Sequence, residues 1–230
     1  MRITWLGHSG FRIEIEKAAL LIDPWFTGNP LFPAGREGEA TSGATHILVT
    51  HGHGDHAANA LAIAKEKGIP IACIHELSDI FAGEGVETIG FGKGGTVDLA
   101  GAKVSMVNAC HSASIDYRGL PFGVAGSEAG FMIAGEGHMI YVSGDTTIMA
   151  DMGWMGEYYH TDIGILAAGG HYTMDMKMAA WAAKKYFDFK TVIPCHYRTF
   201  PILAQSADDL KAGLPGVNVV EPEVMRAIVV

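Results

Sequence analysis

Apolar and polar residues alternate at the start of the chain, in RITWL and again in FRIEIE, and then run together in AALLID. Period-two alternation marks a strand with one face buried, and a short continuous apolar run marks a fully buried one. The chain is therefore expected to open with a hairpin followed by a third strand. Residues 24–43, PWFTGNPLFPAGREGEATSG, are rich in glycine and proline and read as a loop over the surface. HILVT (46–50) is a further buried strand. DHAANALAIAKEK (55–67) predicts a helix with Asp55 at its start and Gly68 after its end. IPIACI reads as a strand and HELSDIFAG as a short helix.

From 85 to 142 the pattern is mostly strands, VETIG, GTVDLA, KVSMVNA, AGFMIAG and HMIYVSG, interrupted by a loop at 111–128. A helix near 147–156, the strand DIGILAA, a helix over 174–187, the strand TVIPC and a last helix near 204–212 complete the chain. In the 174–187 helix, Met178, Trp181, Ala182 and Lys185 recur at helical spacing. This is a mixed α/β pattern with many consecutive strands, expected to give sheets packed on each other with helices outside. The length of 230 residues suits one domain over 1–230, or one domain built from two similar halves.

GFGKGG (90–95) satisfies the spacing G-x-G-x-x-G, but a dinucleotide site needs a helix next, and TVDLAG is a strand pattern. A glycine-rich hairpin turn is the expectation.

Composition narrows the class. Hydrophobic residues make up 49% and charged residues 18%, the latter below the usual figure of about 25%. Either the core is generous or some surface is shared with another copy of the chain, as in a homo-oligomer. The net charge of −9, with no Lys/Arg cluster, argues against a nucleic-acid partner. The three cysteines, Cys73, Cys110 and Cys195, do not form a disulfide framework and point to a reducing cytoplasm. No signal-peptide core and no apolar run of about 20 residues is present, so no membrane partner is expected.

Candidate chemistry sits at the strand ends. HILVT runs into His51, MVNAC into His111, IYVSG into Asp145, TVIPC into His196, LLI into Asp23 and GILAAGG into His171. Residues at strand ends converge at one edge of a sheet, where sites of α/β proteins lie. The densest stretch is THGHGDH (50–56). His51 and His53 are two apart and can face one side of an extended turn. Gly52 and Gly54 let the backbone curl tightly. A tetrahedral catalytic zinc takes three protein ligands plus water. Four candidates here (His51, His53, Asp55, His56) and three elsewhere (His111, Asp145, His196) fit two ions sharing a bridging group.

With these residues the sequence resembles the metallo-β-lactamase superfamily. The match runs through T-H-G-H-G-D-H at 50–56, His111, Asp145 and His196, in order across almost the whole chain. LGHS (6–9), IDPWFTGNP (22–30), GGHYTM (169–174) and PCHYRTFP (194–201) resemble a branch of small bacterial and archaeal metal-dependent hydrolases related to the ascorbate-phosphate lactonases. The resemblance implies a four-layer αββα sandwich of two mixed sheets with outer helices, and a site at the edge between the sheets. It also implies that His51, His53 and His111 hold one metal, that Asp55, His56 and His196 hold a second, and that Asp145 bridges them. Asp23 would steady the ligand loop.

The implied reaction is hydrolysis of an ester, lactone, amide or phosphodiester bond in a small-molecule substrate by a hydroxide shared between two divalent metals. Ligation by nitrogen and oxygen alone suits Zn2+, the default, as well as Mn2+, Fe2+ or Ni2+. The alternatives are an iron-dependent oxidoreductase on the same fold and a non-catalytic metal-dependent binding protein.

Besides Asp55, the catalytic candidates are His8, in the turn after the first strand, and His171, for substrate binding or proton transfer. Arg198 is placed either to bind an anionic substrate group or to form a surface salt bridge. His46, His75, His138 and His160 are read as structural or exposed, and Cys110 and Cys195 as buried small hydrophobes. Specificity is expected in the loops 24–43 and 111–128.

Overall fold

The computed structural model describes residues 1–116, 123 and 125–230. Strands β1 (Arg2–Gly7), β2 (Gly10–Ile15) and β3 (Ala18–Ile22) form an antiparallel meander. After the short helix α1 (Glu37–Ala40), strand β4 (His46–Leu48) pairs parallel to β3. Helices α2 (Gly54–Ala57) and α3 (Ala60–Lys67) lead to β5 (Ile71–Ile74), and α4 (His75–Gly83) leads to β6 (Thr88–Phe91); both strands extend the parallel part of the sheet.

The second sheet repeats the plan. Strands β7 (Thr96–Leu99), β8 (Ala102–Asn108), β9 (Ala129–Gly135) and β10 (His138–Val142) are antiparallel. Helix α5 (Asp151–Tyr159) precedes β11 (Ile163–Ala167), and α6 (Met176–Tyr186) precedes β12 (Thr191–Cys195). Helix α7 (Asp208–Gly213) leads to β13 (Asn218–Val219), while β14 (Ala227–Val229) returns to pair with β1. The strand orders are β14-β1-β2-β3-β4-β5-β6 and β13-β12-β11-β10-β9-β8-β7.

Each sheet thus joins an antiparallel part to a parallel part. Parallel strands need a crossover, here usually a helix, and this sets helices α3, α4 and α6 against β5, β6 and β11. The result is the αββα sandwich. Apolar side chains of both sheets, among them Trp5, Phe11, Leu20, Ile47, Phe131 and Ile165, form one continuous cluster of fully buried residues. Each contributes roughly 1.5–3 kcal/mol of burial free energy. No helix among the described residues is long and apolar enough to cross a membrane.

Several expectations are corrected. The helix expected over 55–67 is two helices, because Asn59 turns its side chain to the 24–43 segment: its Oδ1 accepts from the Phe26 and Thr27 amides at 2.8 and 3.1 Å. That segment is no mere surface loop. Trp25, Phe26 and Phe32 are buried, and Arg12 Nη1 of β2 donates to the Ala40 carbonyl at 3.2 Å, which lays the segment over the first strands. In α6 the buried face is Met176, Ala179, Ala180, Ala182 and Ala183, whereas Met178 and Trp181 are exposed. The helix expected near 147–156 lies at Asp151–Tyr159, and the last helix at Asp208–Gly213. GFGKGG is not a hairpin turn, since β6 and β7 belong to different sheets and the glycines carry the chain between them. Cys110 is exposed, unlike the buried Cys73 and Cys195.

Candidate metal centre

Parallel pairing places strand ends side by side. Asp23 follows β3, and its amide bonds the Leu48 carbonyl of β4 at 2.9 Å. Asp145 follows β10, Gly169 follows β11 and His196 follows β12, all at one edge of the second sheet. Two backbone hydrogen bonds join this edge to the first sheet's: Ala129 N to Thr50 O at 3.1 Å, and His196 N to His8 O at 3.0 Å. Gly144 is required at its position, with φ +58°, because a Cβ there would drive into the Ala129 carbonyl oxygen. His8, Asp23, His171, His196 and Arg198 all have positive φ. Such backbone is uncommon outside glycine and gathers at functional sites.

Asp23 organises the ligand loop. Its Oδ1 accepts from the Thr50 amide at 2.8 Å, and its Oδ2 accepts from Thr50 Oγ1 at 2.7 Å and from His56 Nδ1 at 2.8 Å. The Nε2 of His56 is thereby aimed away from Asp23, toward Asp145 Oδ2 at 3.3 Å. That same oxygen lies 3.0 Å from His196 Nε2 and 3.7 Å from His111 Nε2. His51 Nε2 and His53 Nδ1 face each other at 3.0 Å, and the His111 ring lies 5.3 Å from each of their rings.

The donor atoms sort into overlapping groups of close neighbours: His51, His53 and His111; His51, His56 and Asp145; and Asp55, His56 and His196 together with His8. His8, fully buried, reaches the site: its Nε2 is 3.0 Å from Asp55 Oδ2, and its Nδ1 is 2.8 Å from Thr199 Oγ1. His171 is not brought in. It is exposed, with its ring against that of Tyr172 at 4.5 Å. Arg198 is also exposed and lies over the Tyr197 ring.

Burial sets the electrostatics. It holds His51 well below the usual imidazole range, with the neighbouring His56 adding to the effect. Burial also acts against a proton on His56, but Asp145 and Asp23 on either side outweigh it and push that ring well above its ordinary value. Asp145 is buried too, yet His196 and His56 keep its carboxyl well below the carboxylate range. Among the described residues, Asp145 Oδ1, His56 Nε2 and His196 Nδ1 are buried without a hydrogen-bond partner. Orphaned buried polar atoms are rare and call for a missing partner. A divalent cation fits this donor set, because imidazole nitrogen and carboxylate oxygen are what such cations bind.

Some residues shaping the site had no sequence signal. Asp116 Oδ1 accepts from the Gly54 amide at 2.7 Å, and Glu128 Oε1 from the His111 amide at 2.8 Å, so both pin ligand loops. Trp25 and Phe200 stand over the cluster. They lay inside the stretches IDPWFTGNP and PCHYRTFP, where only a pattern of aromatics beside ligands would have marked them. Of the loop expected at 111–128 to carry specificity, 117–122 and 124 lie outside the described residues.

An αββα sandwich with histidines and aspartates converging where its two sheets meet is the metallo-β-lactamase architecture. Residues 19–197 match the family model described as the Beta-lactamase superfamily domain, and the chain belongs to that superfamily. The UPF0173 metal-dependent hydrolase of Paracoccus denitrificans (strain Pd 1222) is 67% identical over 229 residues, with 99% of both chains covered. That of Dinoroseobacter shibae is 61% identical over a similar span. Among solved structures, Igni18, a metallo hydrolase from the archaeon Ignicoccus hospitalis, superposes with a TM-score of 0.85 at 32% identity, covering 100% of this chain and 98% of its own. The Bacillus subtilis fold relative YhfI, at 15% identity and a TM-score of 0.72 over 99% of this chain and 98% of its own, supports the fold alone.

Proposed function

We propose that the protein is a metal-dependent hydrolase with a two-cation site, acting on an ester, lactone, amide or phosphodiester bond of a small molecule. The observation that carries this reading is Asp145 Oδ2, which stands within 3.7 Å of imidazole nitrogens from both sides of the cluster. His51, His53 and His111 would hold one cation, Asp55, His56 and His196 the other, and Asp145 both. Cations so held lower the pKa of bound water toward neutrality and polarise a carbonyl or phosphoryl oxygen.

The chain's own residues do the rest. Asp23 fixes the His56 ring through Nδ1 and so keeps Nε2 free as a donor. His8 holds Asp55, and Thr199 holds His8. Asp116 and Glu128 keep the two ligand loops at their separation. Tyr172 borders the opening.

The test is metal analysis of protein purified without added metal, paired with turnover of bis(p-nitrophenyl) phosphate and simple lactones before and after chelation. About two divalent ions per chain, with activity lost on chelation and restored by divalent metal, is the expected result. Intact protein that neither retains metal nor turns over any substrate after reconstitution would overturn it in favour of a binding protein. An iron-loaded, coloured preparation that oxidises rather than hydrolyses would favour the oxidoreductase.

A further inference from the structure

Helices α5 and α6 pack closely because glycines of α5 face Tyr186. A Cβ at Gly156 would collide with the Tyr186 carbonyl oxygen, and one at Gly153 would stand 3.7 Å from the Tyr186 ring. That ring therefore lies against both helices, and it meets Trp181 edge-on with centroids 5.8 Å apart. On α5, Trp154 and Tyr158 both flank Tyr159, at 6.3 and 4.9 Å. An aromatic band thus crosses the helix pair, and its outer members face water. Trp154 is 45% exposed, Tyr158 74%, Trp181 54%, and Met178, one turn before Trp181, 39%.

A whole aromatic side chain offers about 150–250 Å2 for burial, so these four leave on the order of 400 Å2 of largely apolar surface in water. Apolar patches beyond a few hundred Å2 mark interaction surfaces. A stable pair of chains buries about 800 Å2 per partner, and the four side chains supply about half of that. Tryptophan and tyrosine are also enriched among the residues that carry most of the energy of interfaces.

The charges around the band are of both signs. The α5 side bears Asp151 and Glu157, and the α6 side bears Lys177, Lys184 and Lys185. Asp151 accepts from Asn108 and Lys177 has Asp209 at 3.8 Å. Among the described residues, Glu157, Lys184 and Lys185 have no ion-pair partner. Glu157 stands three positions after Trp154, and Lys185 four after Trp181, so each of these charges shares a helix face with a tryptophan. An acidic helix beside a basic one is complementary to itself under a two-fold rotation, which brings each helix of one copy against the other helix of its mate. A polyanionic surface, whether lipid or nucleic acid, would instead meet the α5 carboxylates. The share of charged residues, 18%, fits a chain that keeps part of its surface covered.

We propose that this face of α5 and α6 is the contact between two copies of the chain, related by a two-fold axis. Trp154 and Trp181 stand at its centre, and Glu157 of each copy meets Lys185 of the other. None of these residues lines the pocket at the metal centre, so the pairing stands apart from the hydrolase reading.

Sedimentation equilibrium of the full chain over a micromolar concentration series tests this. Wild type is compared with Trp181→Ser, Glu157→Lys, Lys185→Glu and the double variant Glu157→Lys/Lys185→Glu, and circular dichroism checks that each is folded. The expected wild type is a dimer or an assembly of dimers. Trp181→Ser is expected to raise the dissociation constant at least about thirtyfold. Each single reversal, which occurs twice in a two-fold interface, is expected to raise it about tenfold, and the double variant to recover most of that loss. A wild type that stays monomeric, an odd-numbered assembly, or an assembly that folded Trp181→Ser leaves intact overturns the proposal. If Trp181→Ser does not fold, the charge pair decides: single reversals without effect, or a double variant that recovers nothing, overturn it. A monomer that co-sediments with phosphatidylglycerol vesicles, and loses this in Trp181→Ser, gives the face to a membrane and also overturns it.

Discussion

His8 Nε2 and Asp55 Oδ2 meet at 3.0 Å, although 47 positions separate them, and the other nitrogen of the same imidazole rests 2.8 Å from Thr199 Oγ1. One ring thus ties the first β-turn, the opening helix of the ligand loop and the segment after β12. A carboxylate held in this way has one oxygen committed and the other oriented. Partners that orient ligands typically matter by about 10–100-fold in metal affinity. His8→Gln is expected to weaken the more loosely held metal by that factor in a chelator competition, with the tighter one retained. Thr199→Val is expected to produce a weaker form of the same defect, and Thr199→Ser to restore it; equal metal affinity in all four proteins would refute the arrangement.

The same ring predicts a pH effect in metal-free protein. Burial and the neighbouring His196 pull the His8 pKa down to about 4, against about 6.5 in the unfolded chain. Between those values the unfolded chain takes up a proton that the folded protein refuses. Stability from this group is therefore complete above about pH 6.5 and declines as pH falls toward 4, by on the order of 3 kcal/mol. Asp55 titrates in a lower window: burial works against its charge, but His56 and the His8 bond hold it below the usual carboxylate range. Urea unfolding of the metal-free wild type and His8→Gln at several pH values between 7.5 and 4.5 measures the difference. A slope no shallower in the variant would exclude His8 as the source.

Asp55→Ala and His56→Ala are each expected to reduce tightly bound metal from about two ions per chain to about one, with activity falling by several orders of magnitude. Asp145→Asn is expected to affect both ions, because it removes the charge that His56, His111 and His196 all face. Elemental analysis after gel filtration reads this directly. Full metal content in Asp55→Ala or His56→Ala would break the two-cation assignment.

Asp23→Ala is expected to cost about 2–4 kcal/mol, because it strands the Thr50 amide and His56 Nδ1 inside the protein and leaves the Thr50 hydroxyl with His51 Nδ1 as a partner. Asp23→Asn keeps the size and one acceptor and is expected to lose less. The ordering of denaturation midpoints, wild type above Asn above Ala, is the check.

The strand-and-ligand part of this molecule could be read from sequence because its signals are local. A buried run such as HILVT must be a strand, its end must be near an edge, and His51 stands at that end. Asp145 and His196 follow the same logic. The errors came from contacts remote in sequence. Nothing near Asn59 announces that its side chain will bond Phe26 and Thr27 and break the helix. The apolar-looking Met178 and Trp181 lost the core to alanines, because α6 packs closely against its neighbours on the small-residue face. GFGKGG passes for a hairpin until one knows that its flanking strands lie in different sheets. Asp116 and Glu128 are ordinary loop carboxylates until the fold puts the Gly54 and His111 amides in front of them.

The two backbone bonds that join the sheet edges, Ala129 to Thr50 and His196 to His8, tie together the strand ends that carry the ligands, alongside the side-chain bonds of Asp23 and His8. Ion binding is then expected to be docking onto a folded receptor and not a step of folding, in contrast to small zinc modules that are unfolded without metal. Chelated protein should keep its near-ultraviolet circular dichroism and a cooperative melt. A receptor that folds without its ion is expected to exchange one divalent ion for another without unfolding.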